Sequence, residues 1–377
     1  MDLVPKRSPD YWLFLTVIAL IGIGVVMVYS ASAIVAHDRY GDSAFFFKRQ
    51  VLWAALGTIA LLVAQRIHYD RLRQFTPLFL VAAVISLVLV LFPGIGRLAG
   101  GARRWISLGG PFSFQPAEGA KLALALYLAN FLANRGLRLL EFRRGILPPL
   151  LITSVMFVLI LLQPDMGSAL LIGLLTVGML FIGGARLFHL FGMGVVSLPV
   201  MTVAILGEEY RRRRILAFLN PWSDPQGAGF HIIQSLLALG SGGLFGVGLG
   251  ESRQKFFYLP ERHTDFIFAI LGEELGLVGT IAVLALFGLF AYRGFRIARQ
   301  APDRYGSLLA GGITTLVVLQ AIMNIGVTSG VLPITGVPLP FLSFGGSSML
   351  FTMIGVGILL NISQYRGHTA GKDEGNA

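Results

Sequence analysis

An all-α polytopic membrane fold of about ten transmembrane helices is predicted by three features of this sequence. Hydrophobic residues fill 55% of its 377 positions, charged residues only 13%, and the mean hydropathy is +0.75, a balance more apolar than soluble domains carry. Apolar runs of about 20 residues, the length that crosses a hydrocarbon core as a helix, recur along the chain. Lys and Arg are distributed over the connections with the asymmetry that sets membrane orientation.

The first run, 11–31, follows Lys6 and Arg7 and ends in Tyr29-Ser30-Ala31-Ser32-Ala33. Those small residues resemble a cleavage site, but the apolar core outruns a signal segment and further spans follow, so an uncleaved first helix is expected. Further spans are placed at 48–65, 76–92, 118–134, 147–163, 166–183, 187–206, 265–292, 306–330 and 345–364. Spans 147–163 and 166–183 meet at Gln163-Pro164-Asp165, where proline stops one helix and a carboxylate can cap the next. The large outer segment 207–263 contains Phe218-Leu219-Asn220-Pro221-Trp222, an apolar stretch from Phe230 to Leu239, and then Gly240, Gly242, Gly243, Gly246, Gly248 and Gly250. That stretch is too short to span, and it reads as an amphipathic or re-entrant piece closed by a Gly-rich turn. Residues 1–366 read as one transmembrane domain and 367–377 as a polar, disordered tail.

Alternate connections divide the 30 Lys and Arg sixteen to fourteen, and seven of the fourteen lie in 207–263, where charge counts little because long loops translocate regardless. The short loops therefore place both termini in the cytoplasm. The net charge of +11 reports topology and anionic lipid; no basic patch interleaves with exposed aromatics as nucleic-acid binding requires. Cysteine is absent, which excludes disulfides, thiolate nucleophiles and cysteine-held metals. Gly243 to Gly248 lacks the βαβ context of a dinucleotide site.

The densest ionisable group is Pro260-Glu261-Arg262-His263-Thr264-Asp265-Phe266-Ile267-Phe268, set against the start of an apolar run. A carboxylate at a membrane rim is a functional suspect, so Asp265 is the candidate catalytic group, with Glu261 and His263 as candidate substrate contacts. Glu273 and Glu274 follow on the same helix and are expected to face the bundle interior. Positive charge kept outside suggests an anionic ligand, or side chains snorkelling to headgroups. Arg103-Arg104-Trp105 follows a Gly-rich turn, Arg211 to Arg214 open the long loop, and Lys255 lies within it. On a helix only Arg211 and Arg214 of the four would share a face. Glu118 and Lys121 are neighbours on one helix face, either as a self-neutralising pair or as a lysine contacting substrate and a glutamate orienting it. Asp165 is an N-cap or a site acid. Ser343 and Ser347, at the start of the last span, sit where free N–H groups could hold an anion, although helix capping alone would explain them. No zinc motif, P-loop or nucleophile elbow is present, which leaves carboxylate acid/base chemistry or transport.

Gln163-Pro164-Asp165-Met166-Gly167-Ser168, the segment from Asn220-Pro221-Trp222-Ser223-Asp224-Pro225 to Gly250, the Pro260–Phe268 motif and the Pro338–Ser348 motif together resemble the SEDS family of peptidoglycan glycosyltransferases, in the family's order and over almost the whole chain. Arg253-Gln254-Lys255-Phe256-Phe257-Tyr258-Leu259 and Met323-Asn324-Ile325-Gly326 look more like its FtsW cell-division branch, or the sporulation relative SpoVE, than the RodA elongation branch. The resemblance implies the SEDS fold in the bacterial cytoplasmic membrane. It also implies an enzyme that polymerises lipid II on the outer face, with undecaprenyl pyrophosphate as leaving group, a class B penicillin-binding protein as transpeptidase partner and other divisome membrane proteins around it. It carries the essential acid onto Asp265 and family motif positions onto Arg104, Trp105, Glu118, Lys121 and Asp165; Gly119 stands where a bulkier residue is expected. A sugar hydroxyl attacking an anomeric carbon needs a base, the pyrophosphate needs cationic stabilisation, and a divalent cation is a candidate to share that role. For an α-linked donor and a β-linked polymer, one inverting displacement suffices. The rival readings are a lipid II flippase, whose signs would be broken spans in both halves and an internal repeat, and a non-catalytic divisome scaffold.

Overall fold

Each apolar run expected to span is helical. The computed structural model describes residues 7–99, 101–107, 109, 113–227, 229–255, 259 and 261–365; the expected tail 367–377, and Phe256 to Tyr258 and Pro260 of the motifs, lie outside them. The helices are α1 (Tyr11–Tyr40), α2 (Phe45–Arg66), α3 (Tyr69–Leu89), α4 (Pro116–Ala133), α5 (Leu147–Leu161), α6 (Met166–Ile182), α7 (Leu187–Leu206), α8 (Glu209–Leu219), α9 (Phe230–Ser241), α10 (Ile267–Gln300), α11 (Arg304–Thr328) and α12 (Gly346–Ser363). By length and composition, eight helices among the described residues, including α5 with the π-helical turn before it, can cross a membrane. Of the remaining two predicted spans, α6 has 17 residues and α4 has 18, with Glu118 and Lys121 among them.

Contacts between remote segments define the two ends of the bundle. At one end Asp10 caps α1 and receives the guanidinium of Arg293, with Nε 3.1 Å from both carboxylate oxygens, while its own N–H donates to Ser363 Oγ. Tyr69 meets Asp303 there, and its N–H donates to Asn361 Oδ1. The connections that carry most of the short-loop charge emerge at this end. The opposite end gathers residues 104, 115, 163–165, 214, 263–265 and 334–347.

Two features depart from a set of plain spans. The Gly-rich turn after α3 is part of a three-stranded antiparallel sheet: β1 (Gly96–Ala99), β2 (Ala102–Ser107) and β3 (Ser113–Phe114), in that order. Gly101 takes φ +79°, which a tight hairpin favours. The second departure lies in α10, which is interrupted at Gly276, φ +66° and ψ −162°, so its first part is a short helix ending at Leu275. The glycine segment after α9 runs beside this break and satisfies the backbone groups it frees: Val247 and Gly248 N–H donate to Glu273 O and Glu274 O, and Leu277 and Val278 N–H donate to Gly243 O and Leu244 O. A Cβ on Gly246 would sit 2.1 Å from Glu274 O, so only glycine admits this approach. The segment thus pairs with the break through its backbone, while its side chains Leu244, Phe245, Val247 and Leu249 stay exposed. It lies next to the middle of α1, where Leu249 and Leu275 form a groove with Ala19, Gly22, Ile23 and Val26. The core draws on α1, α4, α6, α10, α11 and α12, whereas α7 buries no residue.

Candidate active site

Asp265 sits two residues before α10 in a turn built on Glu261. The Glu261 carbonyl accepts N–H groups from Thr264, Asp265 and Phe266 at 3.1, 3.0 and 3.2 Å, and its own φ is +50°, a conformation that a side chain makes costly and that collects at functional sites. The segment between α11 and α12 clamps the turn. Ser343 Oγ donates to Thr264 O at 2.5 Å, Phe344 N–H donates to His263 O at 2.9 Å, and Asn324 Nδ2 donates to both Asp265 O and Val337 O at 2.8 Å. Gly336, φ +74°, lies against the acid; a Cβ there would be 3.6 Å from Asp265 Oδ2.

The half-buried carboxyl of Asp265 is pushed up to about 7 by burial and by the Glu261 carboxylate, and also by Asp165, against the opposing pull of Arg214 and Arg104. Those four charged residues come from four different elements, which gives the acid a neighbourhood of two cations and two further carboxylates.

Most of the expected site residues converge here. Arg104 on β2 donates from Nε to Gln163 O at 3.0 Å and from Nη2 to Pro164 O, so it holds the α5–α6 hairpin. Arg103, its neighbour on the strand, points to the opposite face; Trp105 is half-buried beside them. Asp165 does two things: Oδ1 caps α6 by accepting Ser168 N–H at 3.0 Å, and Oδ2 faces Gln115 Nε2 at 3.3 Å. Arg211 and Arg214 do turn inward from one face of α8, to Ala204 O and Leu161 O and to Ile334 O respectively, while Arg212 and Arg213 are exposed. Neither Ser343 nor Ser347 caps α12, whose N-cap is Gly345. Ser343 accepts Leu339 N–H, and Ser347 joins Ser113 O to Gln115 N–H, tying β3 to the start of α12.

Four expected contacts sit elsewhere or in another state. Lys255 is buried, its ammonium donating to Gly250 O and lying 3.8 Å from Glu274. Glu118 and Lys121 form a buried pair at 2.7 Å beside a 20 Å³ cavity, and Lys121 also reaches Gln320 Oε1 at 3.3 Å. Burial holds the His263 imidazole down to about 4, against the Glu261 carboxylate; at neutral pH it is uncharged and packs on Phe46 and Phe344. Gln320 and Asn324 were not expected. They are one turn apart on α11, and both fasten the segment before α12, Gln320 through Pro338 O. Two amides at that spacing inside an apolar run were the available signal.

A bundle of membrane-spanning helices with a small sheet at one end, where an acid, two arginines and further carboxylates gather, defines a class of multi-pass membrane protein with a polar site at the end of its spans. The chain belongs to the family described as cell cycle protein, FtsW/RodA/SpoVE, whose model matches residues 11–368. It is 48% identical over 360 residues to stage V sporulation protein E of Bacillus subtilis, covering 96% of this chain and 98% of that one. It is 47% identical over 354 residues to the probable peptidoglycan glycosyltransferase FtsW of Geobacter metallireducens, covering 94% of each. Among solved structures it resembles a chain of a peptidoglycan synthase complex that coordinates polymerization and crosslinking (TM-score 0.80, 34% identity, 96% of this chain and 99% of that one). It also resembles the rod shape determining protein RodA of Thermus thermophilus (TM-score 0.71, 31% identity, 95% and 98%).

Proposed function

We infer that this multi-pass membrane protein is a peptidoglycan glycosyltransferase that polymerises lipid II on the outer face of the bacterial cytoplasmic membrane, with both termini in the cytoplasm and a class B penicillin-binding protein as partner. Its likeness to both FtsW and stage V sporulation protein E supports a role in division or sporulation. The observation that carries the mechanism is an Asp265 carboxyl held near 7 among two arginines, since a base works best when its pKa matches the operating pH.

Asp265 takes the proton of the attacking sugar hydroxyl as the oxygen closes on the anomeric carbon. The bond to pyrophosphate breaks on the opposite side, inverting the centre, and undecaprenyl pyrophosphate leaves. Arg104 and Arg214 stabilise the charge that develops on it. Their guanidinium groups already donate to backbone carbonyls, which fixes where their remaining N–H groups point. Among the described residues no three His, Cys, Asp or Glu side chains converge as a metal site. The flippase reading called for broken spans in both halves; the break in α10 is sealed by the glycine segment and has no counterpart in the first half among the described residues.

The test is glycan-chain formation from lipid II by the purified chain in proteoliposomes, with and without a class B partner. Polymer is expected from the native protein and none from a folded Asp265→Asn. Equal polymerisation by that variant would remove Asp265 from the mechanism. Movement of lipid II between leaflets with no polymer under any condition would replace the enzyme with a transporter.

A further inference from the structure

Glu273, Glu274 and Lys255 are buried charges that the reaction above does not use. Glu273 receives three donors from consecutive residues: Ser252 Oγ, Arg253 N–H at 2.9 Å and Gln254 N–H at 3.4 Å. Its neighbour Glu274 turns the other way, accepting Ser30 Oγ of α1 at 2.6 and 2.8 Å to its two oxygens, with Lys255 Nζ 3.8 Å off. Lys255 in turn donates to Gly250 O, and its N–H reaches Ser252 Oγ at 3.3 Å. Both glutamates end the short first part of α10, directly before the break at Gly276. Segment 250–255 is thereby joined to α10 and α1 by side chains, just beyond where the glycine segment joins the same break by backbone hydrogen bonds.

Burying three charges costs desolvation that apolar packing would avoid, so a role in registration explains them better than one in stability. A carboxylate that accepts from three successive residues fixes both the height and the rotation of that backbone. An aliphatic side chain would fix neither. The residues fixed are those that lead into the turn of Asp265, and the same short helix begins two residues after the acid.

We propose that Glu273 and the Lys255–Glu274 pair are positioning residues: they fasten segment 250–255 onto the interruption of α10 and so hold the turn of Asp265 in register with the substrate. The proposal rests on Asp265 as the base. It places the function of Lys255 inside the bundle, away from the pyrophosphate.

The test uses the full chain in proteoliposomes with lipid II, comparing Glu273→Gln, Glu274→Gln, Lys255→Met and the double variant Lys255→Met/Glu274→Gln. Each single variant is expected to lower kcat on the order of 10²-fold with little change in KM, as displacement of a catalytic group does. The double variant, which removes both charges together, should recover much of that loss. Limited trypsin cleavage after Arg253 reads release of the segment directly: it should quicken in Glu273→Gln and slow again in the double variant relative to Glu274→Gln. Losses in the double variant equal to the product of the single losses, or an unchanged cleavage rate in Glu273→Gln, would overturn the proposal. If a single variant does not fold, the double variant and the cleavage rate still decide. If Asp265→Asn polymerises, the base reading fails by itself, while cleavage still reports whether the segment is fastened.

Discussion

Asp265 is a carboxyl whose neighbours disagree. Burial and the carboxylates of Glu261 and Asp165 favour its proton, while Arg214 and Arg104 favour its charge, and the balance falls at about 7. A general base acts unprotonated, so turnover should rise with pH through a single ionisation near 7 and level off above it. Removing a raising neighbour lowers that midpoint: Glu261→Gln should move the rising limb to lower pH. Removing a lowering neighbour does the reverse, and Arg214→Met should move it higher as well as slowing turnover. A pH–rate profile of the three proteins checks all of this, and unmoved midpoints would show that another group titrates. Sequence exposed Asp265 because charge beside an apolar run has no cheap structural explanation. It could not expose the neutral His263, whose state depends on Phe46 and Phe344 packing against it from remote segments, nor the inward turn of Lys255.

The spanning helices were readable because each carries its own signal in local composition. The sheet was not, since strands of two to six residues form only by pairing with one another. Nor was the break in α10. Glu273 and Glu274 mark polar contacts there but not a change of backbone, and a glycine inside a helical run is ordinarily tolerated. What makes Gly276 different is a backbone conformation open only to glycine and a neighbouring chain where Cβ would go, 2.3 Å from Gly246 N. Gly276→Ala should therefore destabilise the protein by at least about 1–3 kcal/mol and lower its melting temperature in detergent. Gly288→Ala on the same helix, where a Cβ would meet nothing within 4 Å, should be neutral or stabilise by about 1 kcal/mol. Equal effects at the two positions would mean that the interruption is not a fixed part of the fold.

Across the whole molecule, the start of α1 is latched to α10 and to the end of α12. Asp10 is buried and takes both nitrogens of the Arg293 fork, with Nη2 2.5 Å from Oδ2. Arg293→Met removes that partner from a buried carboxylate, which costs about 3–5 kcal/mol. A thermal melt should fall while the pH midpoint of turnover stays in place, because the latch lies at the end of the bundle remote from Asp265. Reporter fusions at each terminus check the orientation: cytoplasmic activity is expected at both, and an external signal from either would invert the assigned sides.

The contacts that build the catalytic face join distant parts of the chain. Gln115 meets Ser347 across 232 residues, and Thr264 meets Ser343 across 79. Such pairings are late events in folding, because the intervening chain must first be made and closed into a loop. A nascent protein halted at the end of α11 can hold Asp265 and both arginines and still lack the Ser343 and Phe344 contacts that aim them. Biosynthesis itself thus acts as a safety catch: a chain still lacking its last segments presents an unfinished surface around Asp265, which is complete only once Ser343 and Ser347 have been made.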